Sequence, residues 1–133
     1  MRVIIEKNYD TLSLLAASYI MKRINNCTKD FFVLGLPTGS TPLGTYKYLI
    51  KFYNEGLLSF KKVITFNMDE YVGLEPSHKQ SYNYFMHQNF FNYIDISKCN
   101  INLLDGMAHD LTDRKSTRLN SSHSQQSRMP SSA

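Results

Sequence analysis

Two short polar segments carry the residue types best suited to chemistry. The first is Pro37-Thr38-Gly39-Ser40-Thr41-Pro42, three hydroxyls around one glycine. It follows the apolar run Phe31–Leu36 and precedes an amphipathic stretch, so it reads as a strand–turn–helix junction. Gly39 has no Cβ, which lets a ligand approach the backbone closely. Thr41 suits the cap of the following helix and Pro42 its first position, where a missing N–H is harmless. Open N–H groups, the positive end of the helix and the hydroxyls of Thr38, Ser40 and Thr41 would then converge on an anion, which suits phosphate. An ordinary capped turn rich in hydroxyls has the same spacing. The segment lacks the Gly-Lys-Ser/Thr of a nucleoside triphosphate loop and also lacks Gly-x-Gly-x-x-Gly.

The second segment is Met68-Asp69-Glu70-Tyr71-Val72-Gly73, which leaves the end of the apolar run Val63–Asn67. A carboxylate of the Asp69-Glu70 pair, partly desolvated by Met68, Tyr71 and Val72, has its pKa raised, which suits a general base. A solvated acidic loop is the alternative. No histidine or third carboxylate lies near in sequence to complete a ligand set, so no metal is expected.

The remaining candidates carry less. His78, His87, His109 and His123 have no ligand spacing and read as solvated or capping groups. Cys27 and Cys99 fit neither a metal nor a disulfide pattern and read as reduced thiols of a cytoplasmic protein. Tyr82, Tyr84, Phe85, Phe90, Phe91 and Tyr93 recur at helical spacing and read as a core face rather than a base-stacking platform.

The elements that must position these groups follow from periodicity. Val3-Ile4-Ile5 reads as a first buried strand. Asp10 then stands where a cap belongs, with Leu12, Leu15, Ala16, Tyr19, Ile20 and Ile24 as the buried stripe of a helix ending near Asn25-Asn26. The run at 31–36 reads as a second strand, covered on both faces. Leu43, Tyr46, Leu49, Ile50 and Tyr53 mark a second helix, stopped by Asn54-Glu55-Gly56. Val63–Asn67 is a third strand, residues from Ser81 a third helix and Ile101–Leu104 a fourth strand. The order β-α-β-α-β-α-β predicts an α/β fold, a Rossmann-like parallel sheet with helices on both faces and right-handed crossovers. Ligands of such sheets collect at the carboxyl ends of the strands, where both polar segments fall.

The net charge of +4 carries no nucleic-acid signal. Arg114, Lys115, Arg118 and Arg128 supply most of it, leaving residues 1–112 nearly neutral. No basic-then-apolar leader opens the chain, and no apolar run approaches the roughly 20 residues of a membrane helix. Neither a nucleic-acid nor a membrane partner is expected.

Periodicity stops at residue 112. Residues 113–133 are serine-rich, without an aromatic residue, and read as a disordered tail. Asp113–His123 and Ser127–Ala133 match the in-frame translation of a common sequencing adapter. The tail is therefore expected to be non-native and without function, with residues 1–112 forming the N-terminal part of a protein that continues differently.

Taken together, Leu34–Pro42 and Thr65–Leu74 closely resemble the two N-terminal signatures of glucosamine-6-phosphate deaminases. Lys22–Asn25, Ser81-Tyr82 through Phe90-Phe91, and Asn100–Gly106 fit the same family. The resemblance implies a cytoplasmic, hydrolase-class enzyme of amino-sugar catabolism that converts glucosamine 6-phosphate and water to fructose 6-phosphate and ammonia without metal or organic cofactor. Thr38, Gly39, Ser40 and Thr41 match the family's phosphate turn. Asp69 matches the aspartate that moves a proton between C2 and C1 of the opened sugar. The family also uses an Asp-x-His…Glu group for ring opening, with an Arg and a Lys at the phosphate, and none of these can be assigned in residues 1–112. The resemblance therefore implies a truncated sheet with an unpaired edge, and a 133-residue chain without turnover of its own. It is compatible with a homo-oligomer at full length. The alternatives are another phosphosugar enzyme of this fold, such as a 6-phosphogluconolactonase-like or ribose-phosphate isomerase-like one, or a non-catalytic phosphosugar-binding fragment. Phe66–Tyr71 favours the deaminase over the lactonase.

Overall fold

The computed structural model describes residues 1–109, so the tail and its boundary at 112 lie outside the described residues. The elements run α1 (Tyr9–Asn25), β1 (Phe32–Leu36), α2 (Leu43–Asn54), β2 (Val63–Asn67), α3 (Tyr82–Asn89) and β3 (Ile101–Asn102), with single 3-10 turns at Phe91–Tyr93 and Lys98–Asn100. The strands form one parallel sheet in the order β1-β2-β3. The expected α/β alternation and parallel sheet are therefore present.

Consecutive steps in one direction, each by a right-handed crossover, carry α2 and α3 over the same face of the sheet. Packing agrees. Tyr46 of α2 stacks on Phe90 just past α3, with ring centroids 4.9 Å apart, and Phe60 meets Phe90 edge-on at 5.4 Å. Leu36, Leu49, Val63 and Met86 complete this core. Side chains alternate along a strand, so Val33 and Phe66 point to the opposite face. They are 63% and 49% exposed, so that face is bare among the described residues, and the expected cover on both faces is present on one only.

Four local expectations change. Val3-Ile4-Ile5 forms no strand, and Val3 and Ile5 are 70% and 90% exposed. Apolar β-branched residues favour a strand only where another strand pairs their backbone. The cap of α1 is Asn8 rather than Asp10. The Asn8 Oδ1 accepts from the Thr11 N–H at 2.9 Å, and the Thr11 side chain closes a capping box. Asp10 instead accepts from the Tyr48 hydroxyl, at 2.8 and 2.9 Å to its two oxygens. The buried stripe of α1 is also rotated: Ser13 and Ala17 are buried, while Leu12 and Tyr19 are exposed. Close approach decides this. A Cβ on Gly44 would lie 2.3 Å from the Ser13 hydroxyl, so α1 meets α2 through its smallest side chains. Finally, β3 is shorter than the run Ile101–Leu104 suggested.

Candidate functional site

The strand register brings the two polar segments together. Leu36 and Asn67 are paired neighbours in parallel strands, and each is the last residue of its strand. Parallel strands run about 4.8 Å apart, so chains leaving them side by side begin at one end of the sheet. Thr38 and Asp69 each stand two residues beyond that pair. The Asn67 side chain, 5% exposed, donates to the Leu36 carbonyl at 2.9 Å and ties the two exits to each other.

The turn is held from below as well. The buried Tyr46 hydroxyl donates to the Pro37 carbonyl. Gly39 has φ +98°, a conformation that a side chain would strain. A Cβ there would meet nothing within 4 Å, so the space above its backbone is open. Among the described residues the N–H groups of Gly39, Ser40 and Thr41 donate to no backbone carbonyl. The expected Thr41 cap is absent: the residue before α2 is Pro42, and no side chain caps this helix. Helix starts shift readily by a residue or two, and Pro42 takes the boundary position that the sequence placed one step inside. Gly44, near the helix start, gives its N–H to the Tyr9 hydroxyl at 2.8 Å.

The two carboxylates separate into different roles. Glu70 is 5% exposed and accepts three backbone N–H bonds, from Tyr71 and Tyr82 at 2.8 Å each and from Asn83 at 2.9 Å. Two of those donors open α3, so Glu70 caps that helix beside Ser81, whose hydroxyl accepts from the Tyr84 N–H at 3.0 Å. Burial raises the pKa of Glu70, the three N–H bonds oppose the rise, and the charge on Asp69 adds to it. The desolvation expected of this loop thus falls on a structural group. Asp69 is half-buried beside it.

Tyr82 is the residue that the sequence pattern misplaced. Its helical spacing suggested a core face, but it is half-buried at the mouth of the site. Its hydroxyl lies 3.3 Å from the Tyr71 hydroxyl, with ring centroids 4.8 Å apart. It also hydrogen-bonds the Thr38 side chain and senses the charge of Asp69. Burial first, then Tyr71 and Asp69, hold this phenol protonated above the ordinary tyrosine range. One side chain therefore touches the turn and faces the carboxylate. The sequence signal that could have found it is Ser81: a cap there puts Tyr82 in the first turn of a helix aimed at the loop.

Gly106, after β3, closes the third side. Its carbonyl accepts from the Gly73 N–H at 2.8 Å, and a Cβ on Gly106 would lie 2.5 Å from the Tyr71 carbonyl. A separate open cavity of about 750 Å³ adjoins Ser40 and Thr41 on the α1–α2 side, and neither Thr38 nor Asp69 lines it. His78 and His87 lie elsewhere. His78 accepts from the Gln80 N–H at 3.1 Å within its own loop, and His87 bonds the Asn83 carbonyl at 3.0 Å on α3. Among the described residues no group of three or more His, Cys, Asp or Glu could hold a metal, and no helix is long and apolar enough to cross a membrane.

Comparison with known proteins bears directly on this geometry. The chain is 63% identical over 113 residues to a glucosamine-6-phosphate deaminase of Treponema denticola, a match covering 83% of this chain and 42% of that protein. The chain is related to the glucosamine-6-phosphate deaminases. A deaminase of Caenorhabditis elegans is 55% identical over 112 residues, again 83% of this chain and 42% of the relative. The chain thus spans about two-fifths of the length of these deaminases. Among solved structures, a monomeric glucosamine-6-phosphate deaminase superposes with a TM-score of 0.80 at 38% identity, over 85% of this chain and 46% of that one. A protein named devB superposes with a TM-score of 0.72 at 18% identity, a likeness of fold alone. No family model matches the chain.

Proposed function

We propose that residues 37–42 and 67–73 form the phosphate-binding and proton-transfer part of a glucosamine-6-phosphate deaminase active site in a cytoplasmic protein. The reading rests on one observation above all. Leu36 pairs with Asn67, so a hydroxyl-rich turn with open N–H groups and a carboxylate leave the same end of the sheet, bridged by Tyr82. Similarity to deaminases at 63% and 55% identity supports the choice of substrate.

In this reading Thr38, Gly39, Ser40 and Thr41 hold the 6-phosphate through backbone N–H groups and hydroxyls. The opened amino sugar then extends toward Asp69. The Asp69 carboxylate takes the proton from C2, giving an enolamine, and returns it to C1 on the same face. That protonation draws in the nitrogen lone pair and leaves an iminium at C2. Water adds there, ammonia departs, and the ketose remains. Glu70, committed to α3, stays out of the proton transfer and fixes the backbone that presents Asp69. Ring opening and full neutralisation of the phosphate call on groups beyond those described, so the 133-residue chain by itself binds the phosphosugar without turnover.

Asp69→Asn in the intact gene product tests the assignment. Release of fructose 6-phosphate and ammonia should fall by about 10²–10⁴-fold, while glucosamine 6-phosphate still binds. Turnover retained in that variant contradicts it.

A further inference from the structure

Tyr9 stands outside the two polar segments, at the start of α1, yet its hydroxyl is bound to the turn at two points and to the start of α2 at a third. It donates toward the Ser40 and Thr41 carbonyls, each at 2.9 Å, and accepts from the Gly44 N–H at 2.8 Å. A phenol has one donor and two acceptor sites, so its only proton is shared between the two carbonyls of the turn. The capping box at Asn8 and Thr11 fixes where α1 begins, and so where this hydroxyl reaches.

Peptide geometry carries the consequence. In a trans peptide the C=O and the N–H of the following residue point in opposite directions. Holding the Ser40 carbonyl toward Tyr9 therefore aims the Thr41 N–H away from α1. The bond from Gly44 has a second effect. It uses one of the donors that a helix start leaves open, so that N–H is not available to an anion.

We propose that Tyr9 is a positioning residue for anion binding, fixing the Ser40 and Thr41 peptides so that the turn presents its N–H groups to a phosphate. The proposal rests on the reading of residues 37–42 as a phosphate turn. The ring itself is held independently of the hydroxyl. A Cβ on Gly44 would lie only 2.9 Å from the Tyr9 ring, so the α1–α2 contact already confines it. Tyr9→Phe therefore removes the hydrogen bonds and leaves the packing.

The test is a calorimetric titration of the 133-residue chain with inorganic phosphate and with glucosamine 6-phosphate, in three versions. Tyr48→Phe is the structural control. It breaks another phenol tether between α2 and α1, the one to Asp10, without touching the turn. The expected result is binding by the parent chain, an affinity about tenfold weaker in Tyr9→Phe, and an unchanged affinity in Tyr48→Phe. Equal affinity in the parent and Tyr9→Phe overturns the proposal and leaves the phosphate turn standing. Equal weakening in both variants also overturns it, because loosening α1 alone would then suffice. A Tyr9→Phe chain that fails to fold assigns the hydroxyl to stability and overturns it as well. A parent chain that binds neither ligand refutes the phosphate turn itself, and the role of Tyr9 falls with it.

Discussion

The Asn67 side-chain amide donates to the Leu36 carbonyl at 2.9 Å, joining the residues from which the two polar segments depart. The bond is buried, so water does not compete for it. With Tyr46 holding Pro37 from the core and Tyr9 holding Ser40 and Thr41 from α1, the turn is fixed near both its ends. The proposed placement of a phosphate and a proton-transfer group within one sugar's length calls for this rigidity.

Glu70 predicts a strong structural effect without chemistry of its own. Glu70→Ala leaves the N–H groups of Tyr71, Tyr82 and Asn83 without their acceptor. Unfolding in urea should show a loss of about 3 kcal/mol, with fraying at the start of α3. A loss below about 1 kcal/mol would show that water replaces the carboxylate freely. The pH dependence has a definite sign. Burial raises the folded pKa above that of the unfolded chain, so the folded state holds the proton more tightly. The Glu70 contribution to stability is complete below the ordinary glutamate value of 4.5 and is lost as pH rises through the raised folded value. Urea midpoints of the parent chain and Glu70→Gln, compared between pH 4 and 7, read this directly.

Tyr46 predicts sensitivity to alkali. Burial holds its phenol protonated well above the ordinary value of 10.0. The unfolded chain loses that proton first, so stability falls as pH rises past the ordinary tyrosine range. Tyr46→Phe should cost about 1 kcal/mol at neutral pH, through the lost bond to Pro37, and should flatten the decline above pH 10. An unchanged alkaline decline in Tyr46→Phe would assign the sensitivity to another group.

Thr65 predicts a gain. Its hydroxyl oxygen is fully buried and has no hydrogen-bond partner among the described residues. Valine matches its shape without the unsatisfied oxygen. Thr65→Val should leave stability unchanged or raise it by about 1 kcal/mol, measured as the thermal midpoint. A clear loss would reveal a bound water or another partner at that oxygen.

Much of this was legible in the sequence, for physical reasons. Phe32–Leu36, Val63–Asn67 and Leu43–Asn54 are marked by their apolar runs and form where expected, although Phe32–Leu36 is covered on one face rather than on both. Both polar segments were placed correctly because loops at the carboxyl ends of parallel strands face one way. What failed depended on contacts between distant residues. Val3-Ile4-Ile5 has the composition of a strand but no neighbour to pair with among the described residues. The buried side of α1 follows from Gly44, thirty-one residues past Ser13, admitting only a small partner. Asp69 and Glu70 look equivalent in sequence. They part only because α3 starts beside one of them. Tyr82 carries an apolar-looking period, yet it opens the helix rather than lining its inner face.

The most direct test of the account is an amide NMR titration of the chain with glucosamine 6-phosphate. The account predicts that the N–H signals of Gly39, Ser40 and Thr41 and those of Asp69 through Tyr71 shift together along a single binding curve. Shifts confined to one of the two loops, or two curves with different midpoints, would mean that turn and carboxylate do not share a ligand, and would contradict it.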